Sequence, residues 1–252
     1  QMLYAACFRA MAEISEQIGK DGSVYRAEYE KLTAVIEKFF WDEEKGAYID
    51  SFTSGRRNVT RHANIFAILF SVADEKKQEK ILKNVLENDE IPAITTPYFN
   101  FFELDVLCRM GKLTEVLDKI RSYWGGMLDL GAVTFWEEYD PSVPKEEQYD
   151  MYGDHFGKSL CHAWAASPIY FLAKYFAGLD LVNKDGVTYI LKPQMQYFTE
   201  LDCTLPVGSN GVMRLVWDGE ILEITPNADG GILELGEQKL SLVRGETRRV
   251  KI

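Results

Sequence analysis

The 252-residue chain is 46% hydrophobic and 27% charged, with a formal net charge of −11. That is enough apolar sequence for one sizeable core, or for a larger domain and a smaller one. The acidic balance excludes nucleic acid as the expected partner, because phosphates would repel such a surface, and disfavours a polybasic contact with anionic membrane. No apolar run approaches the ~18 residues that cross a bilayer, so a soluble chain is expected.

From the first residues to about residue 178 the apolar period is helical. Met2 to Cys7 already reads as helix interior, with no basic leader and no small-residue cleavage site, so the sequence reads as part of something longer. Leu3, Cys7, Ile14 and Ile18 make the first stripe, closed by Gly19. Leu32, Val35, Ile36, Phe39 and Phe40 make the second, and Asp42 to Gly46 is expected to be a solvated turn. Ile65, Ile68, Leu69 and Val72 mark a third helix, and Ile81, Leu82, Val85 and Leu86 a fourth. A fifth carries Phe101, Leu104, Leu107 and Cys108 and ends at Gly111. Leu113, Val116, Leu117, Ile120 and Trp124 mark a sixth. The seventh holds Ile169, Leu172 and Phe176, with Ser167-Pro168 as N-cap and first position or as a kink. Connections as short as Met110-Gly111-Lys112 make neighbouring helices antiparallel, so this region reads as stacked αα-hairpins.

Beyond Gly178 the period falls to two. Strands are expected at residues 187–191, 198–205, 212–217, 220–225, 232–235, 239–243 and 247–252. Turns are expected at Asn183-Lys184-Asp185-Gly186, Asp218-Gly219 and Asn227 to Gly231. The fold class is therefore α + β in two domains. Residues 1–180 form about seven helices in αα-hairpins, and residues 181–252 form a small antiparallel β-sandwich.

Three stretches carry chemistry. Gly131 to Pro141 sets Trp136 directly before Glu137 and Glu138 without helical periodicity. Thr95 to Glu103 packs four aromatics ahead of the fifth helix, and Gly157 to Pro168 holds Cys161, His162 and Trp164. Aromatic planes with carboxylates and an imidazole can hold a sugar, and a glycosidase adds one carboxylate as acid and one as base or nucleophile. Each piece has a plainer interpretation. Tyr98, Phe99, Phe101 and Phe102 suit a core, His62 suits a cap or a core, and Lys145-Glu146-Glu147 suits a surface loop. His162, Glu137 and Glu138 alone read equally as ordinary structural or solvated residues. Cys7, Cys108, Cys161 and Cys203 form no metal-ligand spacing, and three of them sit in apolar helical surroundings that suit buried thiols.

Thr134-Phe135-Trp136-Glu137, followed by Ser159-Leu160-Cys161-His162-Ala163-Trp164-Ala165-Ala166-Ser167-Pro168, resembles the bacterial α-L-rhamnosidases of glycoside hydrolase family 78, as does Thr95-Thr96-Pro97-Tyr98-Phe99. Ile190 to Gln194 is similar to the opening strand of the β-sandwich that follows their barrel. The resemblance implies the carboxyl-terminal part of an (α/α)6 barrel and inverting release of terminal α-L-rhamnose from an oligosaccharide or glycoside. It implies Glu137 as the base, His162 on sugar hydroxyls, Trp136 and Trp164 shaping the pocket, and no metal or other cofactor. Glu138 matches no catalytic position of the family and is left as support. The family's R-D-E-R-x-G-W-x-G-D segment, which carries the acid, has no counterpart in residues 1–252. The chain alone is therefore expected to be inactive, and exposed helix faces are expected to drive self-association. A non-catalytic carbohydrate-binding or scaffold protein, and another (α/α)6 enzyme such as a lyase or phosphorylase, are the alternatives. The compartment stays open.

Overall fold

A computed structural model describes residues 1–184, 187–208 and 211–252. The expected turn at Asn183 to Gly186 therefore falls partly outside the described residues. Two compact units emerge. One comprises residues 1–111 and 136–161, the other residues 112–135 and 162–252.

In the first unit, α1 (Met2–Gln17) packs on α2 (Ser23–Phe40). The face of α1 that is buried is Met2, Ala5, Ala12 and Ser15, and the expected stripe of Leu3, Cys7, Ile14 and Ile18 is exposed. Small side chains win because they permit close approach: a Cβ on Gly22, just before α2, would stand 2.6 Å from the Ala12 carbonyl oxygen. On α2, Ile36 is buried and Val35 is exposed.

A short hairpin follows, β1 (Trp41–Asp42) against β2 (Ala47–Tyr48). Asp42 is buried rather than solvated. Its carboxylate accepts the Glu44 and Lys45 backbone N–H groups at 3.1 Å and meets Arg57 Nε at 2.8 Å. The Lys45 amide first, then Arg57, hold its pKa below the ordinary carboxylate value, against the opposing effect of burial. Helix α3 (Arg61–Leu69) is tied to this hairpin by Asn64, which accepts Tyr48 N–H at 2.8 Å and donates to the Tyr48 carbonyl at 3.0 Å. Helix α4 (Glu75–Ile81) starts on an Asp74 N-cap and runs into a π-helical turn, Leu82–Leu86.

Helix α5 (Pro97–Arg109) packs on α3 and begins earlier than expected, because Pro97 occupies a first-turn position where its missing N–H costs nothing. Most of the expected pre-helix aromatic loop is therefore helix. Its rings form a partly exposed row in which Phe99 and Phe102 flank Phe66 at 5.2 and 5.5 Å. His62 is exposed and lies against Phe99 at 4.2 Å, so it is neither cap nor core.

The second unit contains α6 (Leu113–Asp129) and α7 (Ser167–Phe171), the latter continuing as a π-helical turn, Leu172–Phe176. Ser167 is the first residue of α7 rather than its cap, and Ala166 precedes it. Seven α-helices thus occur among the described residues, as expected.

Two four-stranded sheets follow. One holds β3 (Leu179–Lys184), β4 (Val187–Leu191), β8 (Gly231–Leu235) and β9 (Gln238–Leu242) in that order. The other holds β10 (Arg248–Lys251), β7 (Ile221–Pro226), β6 (Gly211–Trp217) and β5 (Leu201–Val207). The pairings are antiparallel except β4 with β8, which is parallel. Strand β3 was not expected, since it begins directly after the Gly178 turn, where helical and strand periods meet. The sandwich core comprises Tyr189, Leu191, Val207, Met213, Leu215, Leu222, Ile224 and Leu233 among others. Tyr189 lies opposite Gly231 in register, and a Cβ there would come within 2.2 Å of the tyrosine ring. Glycine at 231 is what lets that ring be buried.

Candidate active site

In the first unit, residues 136–139 run alongside residue 159 and the start of α5. Glu137 is bound at both ends: its N–H donates to the Ser159 carbonyl at 2.9 Å, and its carboxylate Oε2 accepts the Ser159 N–H at 3.1 Å. A carboxylate gripped through backbone and side chain by one residue has its direction fixed. Glu137 is buried, and Trp136 before it is 3% exposed, with its ring 5.6 Å from that of Tyr149.

Glu138 is held by a second set of partners. Thr95 Oγ1 donates to its Oε1 at 2.9 Å, and Lys158 Nζ stands 4.0 Å from its Oε2. The Lys158 side chain is 4% exposed, and a cation so deeply buried is retained only with charge partners. The Tyr139 N–H donates to the Thr95 carbonyl at 3.4 Å, which adds a main-chain tie between the two segments.

Behind Thr95, α5 is anchored by buried polar residues. Asn100 Nδ2 donates to the Ile94 and Thr96 carbonyls at 3.1 and 3.2 Å. Arg61 Nη1 donates to Glu103 Oε1 at 2.7 Å and to the Leu86 carbonyl at 2.8 Å. The start of α3, the end of the π-helical turn and the middle of α5 are thereby locked together, and Thr95 is presented to Glu138.

In the second unit, the His162 N–H donates to the Phe135 carbonyl at 2.8 Å. Its ring lies 4.2 Å from that of Trp164, which stands half out of the protein. Trp124 Nε1 on α6 donates to the Ala165 carbonyl at 2.8 Å and fixes the turn that carries Trp164. An apolar recess of about 240 Å³ here is lined by Trp124, Met127, Leu128 and residues 132–135.

The structure therefore brings Trp136, Glu137 and Glu138 together with Thr95, Lys158, Ser159 and Tyr149, and separately pairs His162 with Trp164. Lys158 and Arg61 carried no sequence signal: one lysine beside a glycine has no periodicity, and an arginine at a helix start is ordinarily exposed. Among the described residues no cluster of three or more His, Cys, Asp or Glu could hold a metal ion. Cys161, like Cys7, is exposed rather than buried.

Residues 1–176 match the family described as bacterial alpha-L-rhamnosidase 6 hairpin glycosidase domain. Among solved structures, a rhamnosidase from Klebsiella oxytoca with rhamnose bound is 28% identical, with a TM-score of 0.60 over 69% of this chain and 33% of its own. The GH78 family rhamnosidase of Bacillus sp. GL1 is 23% identical, with a TM-score of 0.76 over 94% of this chain and 26% of its own. The alpha-L-rhamnosidase from Dictyoglumus thermophilum is 19% identical, with a TM-score of 0.66 over 94% of this chain and 27% of its own. The chain thus spans a third or less of these proteins. No curated protein matches.

Proposed function

Because the chain belongs to the bacterial alpha-L-rhamnosidase six-hairpin glycosidase family, we propose that its residues serve the inverting hydrolysis of terminal α-L-rhamnosides, with Glu137 as general base. The observation that carries this is the double grip of Ser159 on Glu137, which aims one buried carboxylate while Glu138 beside it is occupied by Thr95 and Lys158. In the reaction a water attacks the anomeric carbon and gives its proton to Glu137. A separate carboxylic acid protonates the departing glycosidic oxygen, and the two carboxyls stand ~6.5–9.5 Å apart to admit the water.

Trp136 forms a packed wall behind the base. His162 binds sugar hydroxyls, and Trp164 offers its exposed ring to the sugar. The Klebsiella oxytoca relative, solved with rhamnose bound, supports rhamnose as the sugar. Residues 1–252 contain no R-D-E-R-x-G-W-x-G-D segment, so the acid comes from outside them. Acid catalysis is worth ~10²–10⁴-fold, and this stretch by itself does not turn over rhamnosides. The exposed apolar face of α1, with Leu3, Ile14 and Ile18, favours association of residues 1–252 expressed alone. A monomeric mass by light scattering at high concentration would oppose that.

Proton NMR of an aryl α-L-rhamnoside during hydrolysis by the full natural polypeptide tests the reaction. β-L-rhamnose as the first-formed anomer is the expected product, and α-L-rhamnose would refute inversion. Rhamnose binding without turnover in that polypeptide would instead favour a non-catalytic carbohydrate-binding protein.

A further inference from the structure

We propose that Glu138 is a positioning residue for the base: its carboxylate ties the lead-in to α5 to the Lys158-Ser159 segment, and thereby fixes the direction of Glu137. The proposal rests on the reading of Glu137 as the base of a rhamnosidase. It gives a role to the second acid of the Trp136-Glu137-Glu138 run.

Glu138 divides its two oxygens between two stretches of chain. Oε1 accepts the Thr95 hydroxyl at 2.9 Å, and Oε2 faces Lys158 Nζ at 4.0 Å. The Tyr139 N–H on the Thr95 carbonyl, at 3.4 Å, holds the first crossing through the main chain as well. Thr95 lies two residues ahead of Pro97, where α5 starts, and α5 is anchored by the buried Arg61–Glu103 pair. Glu138 is therefore tied to a fixed helix rather than to a free loop.

The other crossing bears on the base. Residues 137–138 and 158–159 meet in antiparallel order, Ser159 on Glu137 and Lys158 on Glu138. Neighbours hold neighbours, so a displacement of Lys158 also displaces the Ser159 N–H that meets Glu137 Oε2 at 3.1 Å.

Charge makes the connection strict. The Lys158 side chain is 4% exposed, and that of Glu138 is 27% exposed. At 4.0 Å the two are too far apart for a hydrogen bond, so the pair acts through charge. Among the described residues Glu138 is the carboxylate that Lys158 pairs with. A buried ammonium stripped of its counter-charge is strongly disfavoured where it stands. Moving it toward solvent carries the Ser159 amide along, and Glu137 loses its aim. A reacting group displaced by about 1 Å can cost ~10²-fold in rate while substrate still binds.

The test uses the full natural polypeptide. Glu138→Gln keeps an oxygen for the Thr95 hydroxyl and removes the charge that Lys158 needs. It is expected to lower kcat for an aryl α-L-rhamnoside on the order of 10-fold or more. KM and the affinity for free rhamnose should stay within about 2-fold, as for a group that acts through the base and not on the sugar. Glu138→Gln/Lys158→Met leaves no unpaired charge and should recover part of the lost kcat. A kcat within about 2-fold of the unsubstituted protein for Glu138→Gln would overturn the proposal. So would a double variant no better than the single one, or a loss carried by KM and rhamnose affinity. Should the unsubstituted polypeptide cleave no rhamnoside, the hydrolase reading fails by itself. The tie is then judged by hydrogen exchange: faster exchange of the peptide spanning residues 157–160 in Glu138→Gln supports it, and unchanged exchange overturns it.

Discussion

Arg61 is the residue whose loss should cost the first unit most. Its side chain is 7% exposed and that of Glu103 is 1% exposed, so the pair is dry. Replacing Arg61 by Met keeps the bulk and removes the charge. Glu103 then loses its 2.7 Å partner, and the Leu86 carbonyl loses a donor at 2.8 Å. Breaking one side of a buried pair costs about 3–5 kcal/mol, chiefly from the charge left behind. That is a fifth or more of the ~5–15 kcal/mol that holds a typical domain. With ~1–3 kcal/mol per molar in urea, the midpoint should fall by at least about 1 M. Tryptophan fluorescence reports the transition, since Trp41 and Trp136 lie in this unit. The double variant Arg61→Met/Glu103→Leu removes both charges and should recover most of the loss. A single variant that costs under ~1 kcal/mol, or a double variant that is worse than the single, would show that the pair does not anchor α5 as described.

Three further outcomes follow from the geometry of this unit. Burial first, then the nearby Asp105, pushes the Cys108 thiol from 9.0 up to about 12. A thiol whose pKa is raised on folding stabilises the fold fully below its unfolded pKa, and that contribution is lost as pH rises through the folded value. Stability should therefore decline from about pH 9 to about pH 12, by up to ~1.4 kcal/mol per pH unit from this group. At pH 8 a thiol reagent should label Cys7 and Cys161 rapidly and Cys108 only on unfolding; fast native labelling of Cys108 would contradict its burial. Lys158→Met should leave Glu138 without its buried cation, lowering kcat of the full polypeptide about 10-fold or more with little change in KM, and Lys158→Arg should restore part of it. Equal changes in kcat and thermal stability for both variants would mean that Lys158 only holds the loop.

How far the sequence revealed this structure depended on whether a pattern fixed phase as well as period. The third and sixth stripes placed Ile65, Ile68, Leu69, Val116, Leu117 and Trp124 in the core, where they are buried, but they also named Val72, Leu113 and Ile120, which are only partly buried, and missed Ala67, Tyr123 and Met127. The first helix has two candidate faces, and the less hydrophobic one is buried because Ala5, Ala12 and Ser15 admit a neighbouring backbone. Strands after residue 187 announced themselves by alternation, whereas the parallel pairing of β4 with β8 depends on partners some 40 residues apart that no local pattern encodes. Glu137 stood out because Trp136 before it is rarely spent on a plain loop. The partners that hold it and its neighbour, Ser159 on Glu137 and Thr95 and Lys158 on Glu138, are assembled by chain crossings, and Asp42, which reads as solvated in the sequence, is enclosed by Arg57 and two backbone amides.

The most direct measurement is turnover and rhamnose binding by Glu137→Gln in the full natural polypeptide. Glutamine keeps the shape and can still accept the Ser159 N–H through its carbonyl oxygen, but it cannot take a proton from water. Hydrolysis of an aryl α-L-rhamnoside should fall by roughly 10³-fold or more while the calorimetric affinity for rhamnose stays near that of the unsubstituted protein. Near-normal hydrolysis by Glu137→Gln would contradict its assignment as the base.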